Sequence, residues 1–81
     1  MTSPELSDRH PATQHLMGLL QPNPSLDGIA ADVSAAMFQA ACDQVTILRD
    51  GPELSDGLRK LWEAKNCLVM QGLIDSGAVT A

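Results

Sequence analysis

Two cysteines are the side chains in this sequence best suited to covalent chemistry. Cys42 and Cys67 fall on consecutive predicted helices, and in a hairpin that turns at Gly51 the residue opposite Cys42 is near position 60. The offset of about seven residues corresponds to roughly 10 Å along a helix axis, which is beyond disulfide reach. We therefore predict two free thiols that fill small apolar spaces. A disulfide between two subunits stays open as an alternative.

The remaining candidates for chemistry do not form a catalytic set. His10 and His15 straddle Pro11 without a cysteine or carboxylate at metal-ligand spacing. Nucleophilic catalysis needs an oriented base, and these histidines lie in or beside a predicted flexible arm. The six glycines are isolated, which argues against a phosphate-binding loop. Lys65 is expected to extend its stem along an apolar helix face. We predict a protein that is not an enzyme and has no metal or cofactor.

A carrier-protein function is the least favoured alternative. Carrier domains are small, acidic and helical, and they attach their prosthetic group to an Asp-Ser-Leu-type serine at the start of the second helix. The Asp75-Ser76 pair of this chain lies five residues from its end. Ser25 does precede a predicted helix, but its neighbours are Pro24 and Leu26. Neither serine therefore matches the motif.

Charge and composition narrow the class of protein. Ten acidic and five scattered basic residues give a net charge of −5, which disfavours nucleic acids and anionic membranes as partners. The chain is 44 % hydrophobic but has one Trp, one Phe and no Tyr, a composition typical of close-packed helices. Its first residues lack a basic and an apolar segment, so we expect no signal peptide, and no apolar run reaches about 18 residues. We expect a cytoplasmic protein with reduced thiols.

Proline and glycine positions predict an all-α fold. Pro11 suits the first position of a helix, and Ser25 is a good N-cap for the next. Gly51 is expected to be a left-handed C-terminal cap, with Pro52 preventing continuation of the helix. The predicted architecture is a flexible arm (1–10) and a single helical domain (11–81) in which a short N-terminal helix joins a long antiparallel helical hairpin; the helices cover about 11–21, 25–50 and 52–76.

Both long helices carry apolar residues on more than one face. In the second helix a knobs-into-holes seam is predicted from Leu26, Ala30, Val33, Met37, Ala40, Gln44 and Ile47. A flanking stripe contains Ala31, Ala35, Phe38, Cys42 and Val45. The third helix also has a second apolar stripe, since Cys67, Met70 and Ile74 lie opposite its leucine face. A hairpin buries only one face of each helix, so the second apolar stripes stay exposed unless another helix or subunit packs against them.

We therefore expect the hairpin to form a bundle with a second subunit or another partner, as a homodimer or a hetero-complex. A compact three-helix bundle, closed by the first helix, is the alternative. The predicted partner-binding residues are Phe38, Cys42, Val45, Trp62, Cys67, Met70 and Ile74. The acidic edge Asp32, Asp43 and Asp50 is interpreted as a solvated helix face, with docking of a basic partner as the alternative.

The functional hypothesis is a non-enzymatic protein–protein interaction module, acting as a small regulator, inhibitor, adaptor or chaperone. The alternative is an accessory subunit of an enzyme complex. The layout of a short helix and a long helical hairpin resembles that of small bacterial regulatory proteins and secretion chaperones, although it carries no diagnostic motif of either.

Overall fold

The computed structural model describes residues 4–80 and contains three α-helices in this part of the chain. They are α1 (Pro11–Leu19), α2 (Gly28–Ile47) and α3 (Pro52–Asp75). α2 and α3 pack closely along each other, and α1 lies mainly against α3 with a smaller contact to α2. No strand occurs within residues 4–80. The predicted all-α fold, a helical hairpin with a short N-terminal helix, is confirmed.

The bounds of α1 follow from proline chemistry. Pro11 occupies the first turn, and the Nδ1 atom of His10 accepts a hydrogen bond of 3.0 Å from the Ala12 N–H. The helix ends at Leu19 rather than near residue 21. Pro22 disfavours helical geometry at Gln21, whose N–H instead closes a tighter bond to the Gly18 carbonyl.

α2 begins three residues later than the sequence predicts. Ser25 is not its N-cap, because the Ser25 N–H donates to the Asn23 side chain in a separate turn. Asp27 is the N-cap, and Gly28 follows it with a φ of 59°. A side chain at this left-handed position would cost roughly 1–2 kcal/mol, which favours glycine as the residue that redirects the chain.

The turn between α2 and α3 also differs from the expectation. Gly51 has a φ of 172°, an extended conformation, and is the N-cap of α3 rather than a left-handed cap of α2. α2 ends earlier, at Ile47, with Leu48 extended at its C-cap. The guanidinium of Arg9 takes the place of a glycine cap. It donates to the carbonyls of Val45 at 2.6 Å and Leu48 at 2.9 Å.

The core lies between the three helices, in the half of the hairpin next to the turn. It contains Leu16, Met17, Leu20, Phe38, Ala41, Cys42, Val45, Leu54 and Leu58. In the other half, α2 and α3 approach closely at Gly72, which is buried against the backbone of Ala30. Within the predicted arm, Leu6 packs against the core. The flexibility of that arm stays a prediction, and residues 1–3 and 81 lie outside the described residues.

Candidate interaction surface

α1 covers one of the two apolar stripes of α2. Phe38, Cys42 and Val45 are buried in the core with α1 residues Leu16 and Met17. These three predicted partner-binding residues therefore pack inside the single chain and are not on its surface. The position of a nine-residue helix, which the periodicity of α2 does not encode, decides this outcome.

The stripe expected to be the hairpin seam is the more open one. Ala30 is buried, but Met37 and Ala40 are only half-buried, Gln44 is exposed and Ile47 is 73 % exposed. The prediction that this whole stripe packs within the hairpin is wrong towards its C-terminal end. α2 is rotated so that its Phe38 side faces α1, which turns the other stripe towards solvent.

A carboxylate holds the N-terminal end of α1 in place. Asp50 Oδ1 accepts hydrogen bonds from Arg9 Nε at 3.0 Å and from Thr13 Oγ1 at 2.8 Å, and Oδ2 accepts from the His10 N–H at 2.8 Å. The backbone N–H of His10, then the Thr13 hydroxyl and then Arg9 lower the pKa of Asp50. Asp50, expected on a solvated edge, thus joins α1 to the α2–α3 turn.

Lys65 holds the opposite end of α1. Its side chain is 8 % exposed, and Nζ donates to the carbonyls of Leu19 at 3.3 Å and Gln21 at 3.2 Å. A cation at a helix C-terminus is favourable because the unpaired carbonyls there carry partial negative charge. Lys65 therefore fixes α1 to α3 through its ammonium group, rather than extending that group to solvent.

The other predicted partner-binding residues remain at least partly accessible. Trp62 is half-buried in a cleft between α1 and α3 that Leu16, His15 and Arg59 also line. On the outer side of α3, Cys67 is exposed, Met70 is 48 % exposed and Ile74 is half-buried. The structure thus separates Trp62 from the Cys67–Met70–Ile74 face instead of bringing all candidates together.

Both cysteines are free thiols, as predicted, but their surroundings differ. Cys42 is buried, and burial raises the pKa of its thiol, with a smaller contribution from the neighbouring Asp43 carboxylate. Cys67 is exposed. The prediction of an apolar filler is correct for Cys42 and wrong for Cys67, because α1 reaches only the inner side of α3.

A groove that the sequence did not predict lies between α2 and α3. It has a volume of about 280 Å³, and all of its lining residues belong to the hairpin: Gln44, Leu48, Glu53, Leu54, Gly57, Leu58 and Leu61. Gly57 leaves it open, since an added Cβ there would meet nothing within 4 Å. The available signal was the position of Gly57 in the predicted third helix, three residues after Leu54 and four before Leu61.

Apolar residues continue from this groove along both helices. On α2, Met37 and Ala40 precede Gln44 at helical spacing, and on α3, Leu68 follows Leu61 by seven residues. Leu68 is 47 % exposed and Leu48 is 46 % exposed. We call this set, from Leu54 to Leu68 on α3 and from Met37 to Leu48 on α2, the groove face. At 1.5 Å per residue it is about 21 Å long.

We also looked within residues 4–80 for a metal site and for the attachment serine of a carrier protein. Among them, no three His, Cys, Asp or Glu side chains are grouped to hold a metal ion. Ser76 caps the end of α3, where its hydroxyl donates to the Leu73 carbonyl at 3.0 Å. None of the described helices combines the length and the apolar character that a bilayer crossing requires. Comparisons with family models, curated proteins and solved structures found no match.

Proposed function

We propose that this chain is a non-enzymatic protein–protein interaction module, a small regulator, inhibitor, adaptor or chaperone, and that it binds through the groove face. The observation that supports this most directly is the leucine-lined groove, which α1 leaves uncovered. Soluble proteins rarely leave large continuous apolar patches exposed, and such patches are typical of binding surfaces. A groove between two helices is a common receptor for an additional helix.

The proposed partner is either a second copy of the chain or a different protein. Either would extend the three-helix arrangement into a larger bundle, with the groove face at its centre. We propose a cytoplasmic location, where both thiols would stay reduced.

Site-specific photo-crosslinking in cells tests the proposal. A photoreactive residue at Gly57 would lie in the groove, whereas the same residue at Gln14 would lie on exposed α1. We expect discrete crosslinked species from position 57 and little product from position 14. Light scattering of the purified chain then distinguishes self-association from binding to another protein. Equal yields at both positions, or none at position 57, would contradict the proposal.

A further inference from the structure

We infer that the occupant of the groove face is a basic amphipathic helix of a partner protein, an inference that rests on the proposed function. Shape gives the first argument. The groove face is about 21 Å long, which matches about 14 residues of helix. Leu48, Leu54 and Leu61 line the groove, and Gly57 presents only backbone, so a helix can approach closely there. Apolar anchors at positions i, i+3 or i+4 and i+7 fit such a groove.

Charge gives the second argument, because the hairpin carries more carboxylates than cations and the charged residue that lines the groove is Glu53. α2 contains Asp32 and Asp43 and no basic residue. On α3, the ammonium of Lys65 is bound to α1 carbonyls, and Arg59 lies in the cleft beside α1. Apart from Asp50, which binds the start of α1, the exposed charges of the hairpin are six carboxylates against three cations: Asp32, Asp43, Glu53, Asp56, Glu63 and Asp75 against Arg49, Arg59 and Lys60.

The same charge argument makes a second copy of the chain a poorer occupant of the groove face than a basic helix. It would bring the same excess of carboxylates, since the whole chain has a net charge of −5. Like charges brought together at an interface oppose association, whereas lysines or arginines flanking an apolar stripe would meet opposite charge.

Synthetic peptides of about 18 residues test the occupant directly. The first peptide has leucines at helical i, i+3, i+4 and i+7 spacing with lysines on its other faces. The second has glutamate in place of each lysine, and the third has the composition of the first in scrambled order. By fluorescence anisotropy with the full chain, we expect the first peptide to bind about tenfold more tightly than either other. Its affinity should fall as salt is added.

A matched pair of glycine variants locates the binding site. Gly57→Gln places a side chain in the groove, and we expect it to weaken binding of the lysine peptide by about tenfold or more. It should not destabilise the fold, because its Cβ meets nothing within 4 Å and glutamine favours helix more than glycine does. Gly18→Gln makes the same change at an equally open site on α1 and should leave the affinity unchanged.

The outcomes separate this inference from the proposed function. If the scrambled lysine peptide binds as tightly as the amphipathic one, charge alone is responsible and the inference is wrong. If the glutamate peptide binds more tightly, or if the chain forms a dimer that Gly57→Gln dissociates, the groove is an interface with a different occupant. If no peptide binds, the chain is monomeric and position 57 gives no crosslink, both proposals fail.

Discussion

Replacing Gly72 with alanine tests a close approach between α2 and α3. A Cβ added at Gly72 would lie 3.2 Å from the Ala30 Cα, 3.3 Å from the Ala30 nitrogen and 3.4 Å from the Ile29 Cγ2 atom. Two of these atoms belong to the α2 backbone, which cannot move aside as the end of a flexible side chain can. The variant therefore forces α2 and α3 apart by a few tenths of an ångström or leaves the contact strained.

Two opposing free-energy terms set the expected magnitude. Exchanging glycine for alanine inside a helix stabilises by about 1 kcal/mol, and overpacking of a close contact costs about 1–3 kcal/mol. Only the stabilising exchange of glycine for alanine applies to Gly57→Ala, since its Cβ would meet nothing within 4 Å. We expect Gly57→Ala to raise the free energy of unfolding by about 0.5–1 kcal/mol, and Gly72→Ala to lie about 1–3 kcal/mol below it.

Urea and thermal unfolding followed by circular dichroism measure this difference. For a domain of this size, 1 kcal/mol corresponds to a shift in Tm of about 4–8 °C. Gly72→Val, with a larger side chain against the same backbone, should lose more stability than Gly72→Ala. If Gly72→Ala stabilises the chain as much as Gly57→Ala does, the two helices do not pack as closely as described, and the reasoning is refuted.

Three further predictions concern other parts of the fold. Hydrogen bonds lower the pKa of Asp50 in the folded state, so the Asp50 carboxylate stabilises the fold fully above its ordinary pKa near 3.8. This stabilisation is lost as the pH falls through the lower pKa of the folded state. Asp50→Asn should therefore flatten the acid side of a plot of urea midpoint against pH, while Asp32→Asn should not. A maleimide should label exposed Cys67 rapidly and buried Cys42 only on unfolding, as mass spectrometry of a timed reaction would show; equal rates would contradict the burial of Cys42. Ser34→Ala should raise the free energy of unfolding by about 1 kcal/mol, because the Ser34 hydroxyl is buried without a hydrogen-bond partner in the described structure; a loss of stability would indicate a partner for it.

The order of the helices was predictable because it depends on local chemistry. Pro11 and Pro52 each occupy the first turn of a helix, as expected from their fixed φ and missing N–H. Pro22 ends α1 for the same local reasons. These effects act within a few residues of the chain, so a sequence pattern records them.

The capping of α2 and the choice of buried stripe were not predictable in the same way. The carbonyls at the end of α2 are bound by Arg9, which lies 36 residues before Val45 in the chain. The periodicity of α2 shows two apolar stripes of similar quality, and only the docking of α1 decides which is covered. The role of Gly57 as the floor of a groove depends on where α2 lies beside it, which the sequence of the third helix does not record.

The attachment of α1 to Lys65 has a consequence for the order of folding during synthesis. α1 has nine residues, too few to be stable as an isolated helix, and the ammonium group that binds its last carbonyls belongs to a residue made 44 to 46 positions later. Because α1 is synthesised before both helices of the hairpin, it cannot make this contact until Lys65 has left the ribosome. A nascent chain that ends before Lys65 exposes Phe38 and Val45, which α1 buries in the folded protein. Its surface is therefore more apolar than that of the folded protein.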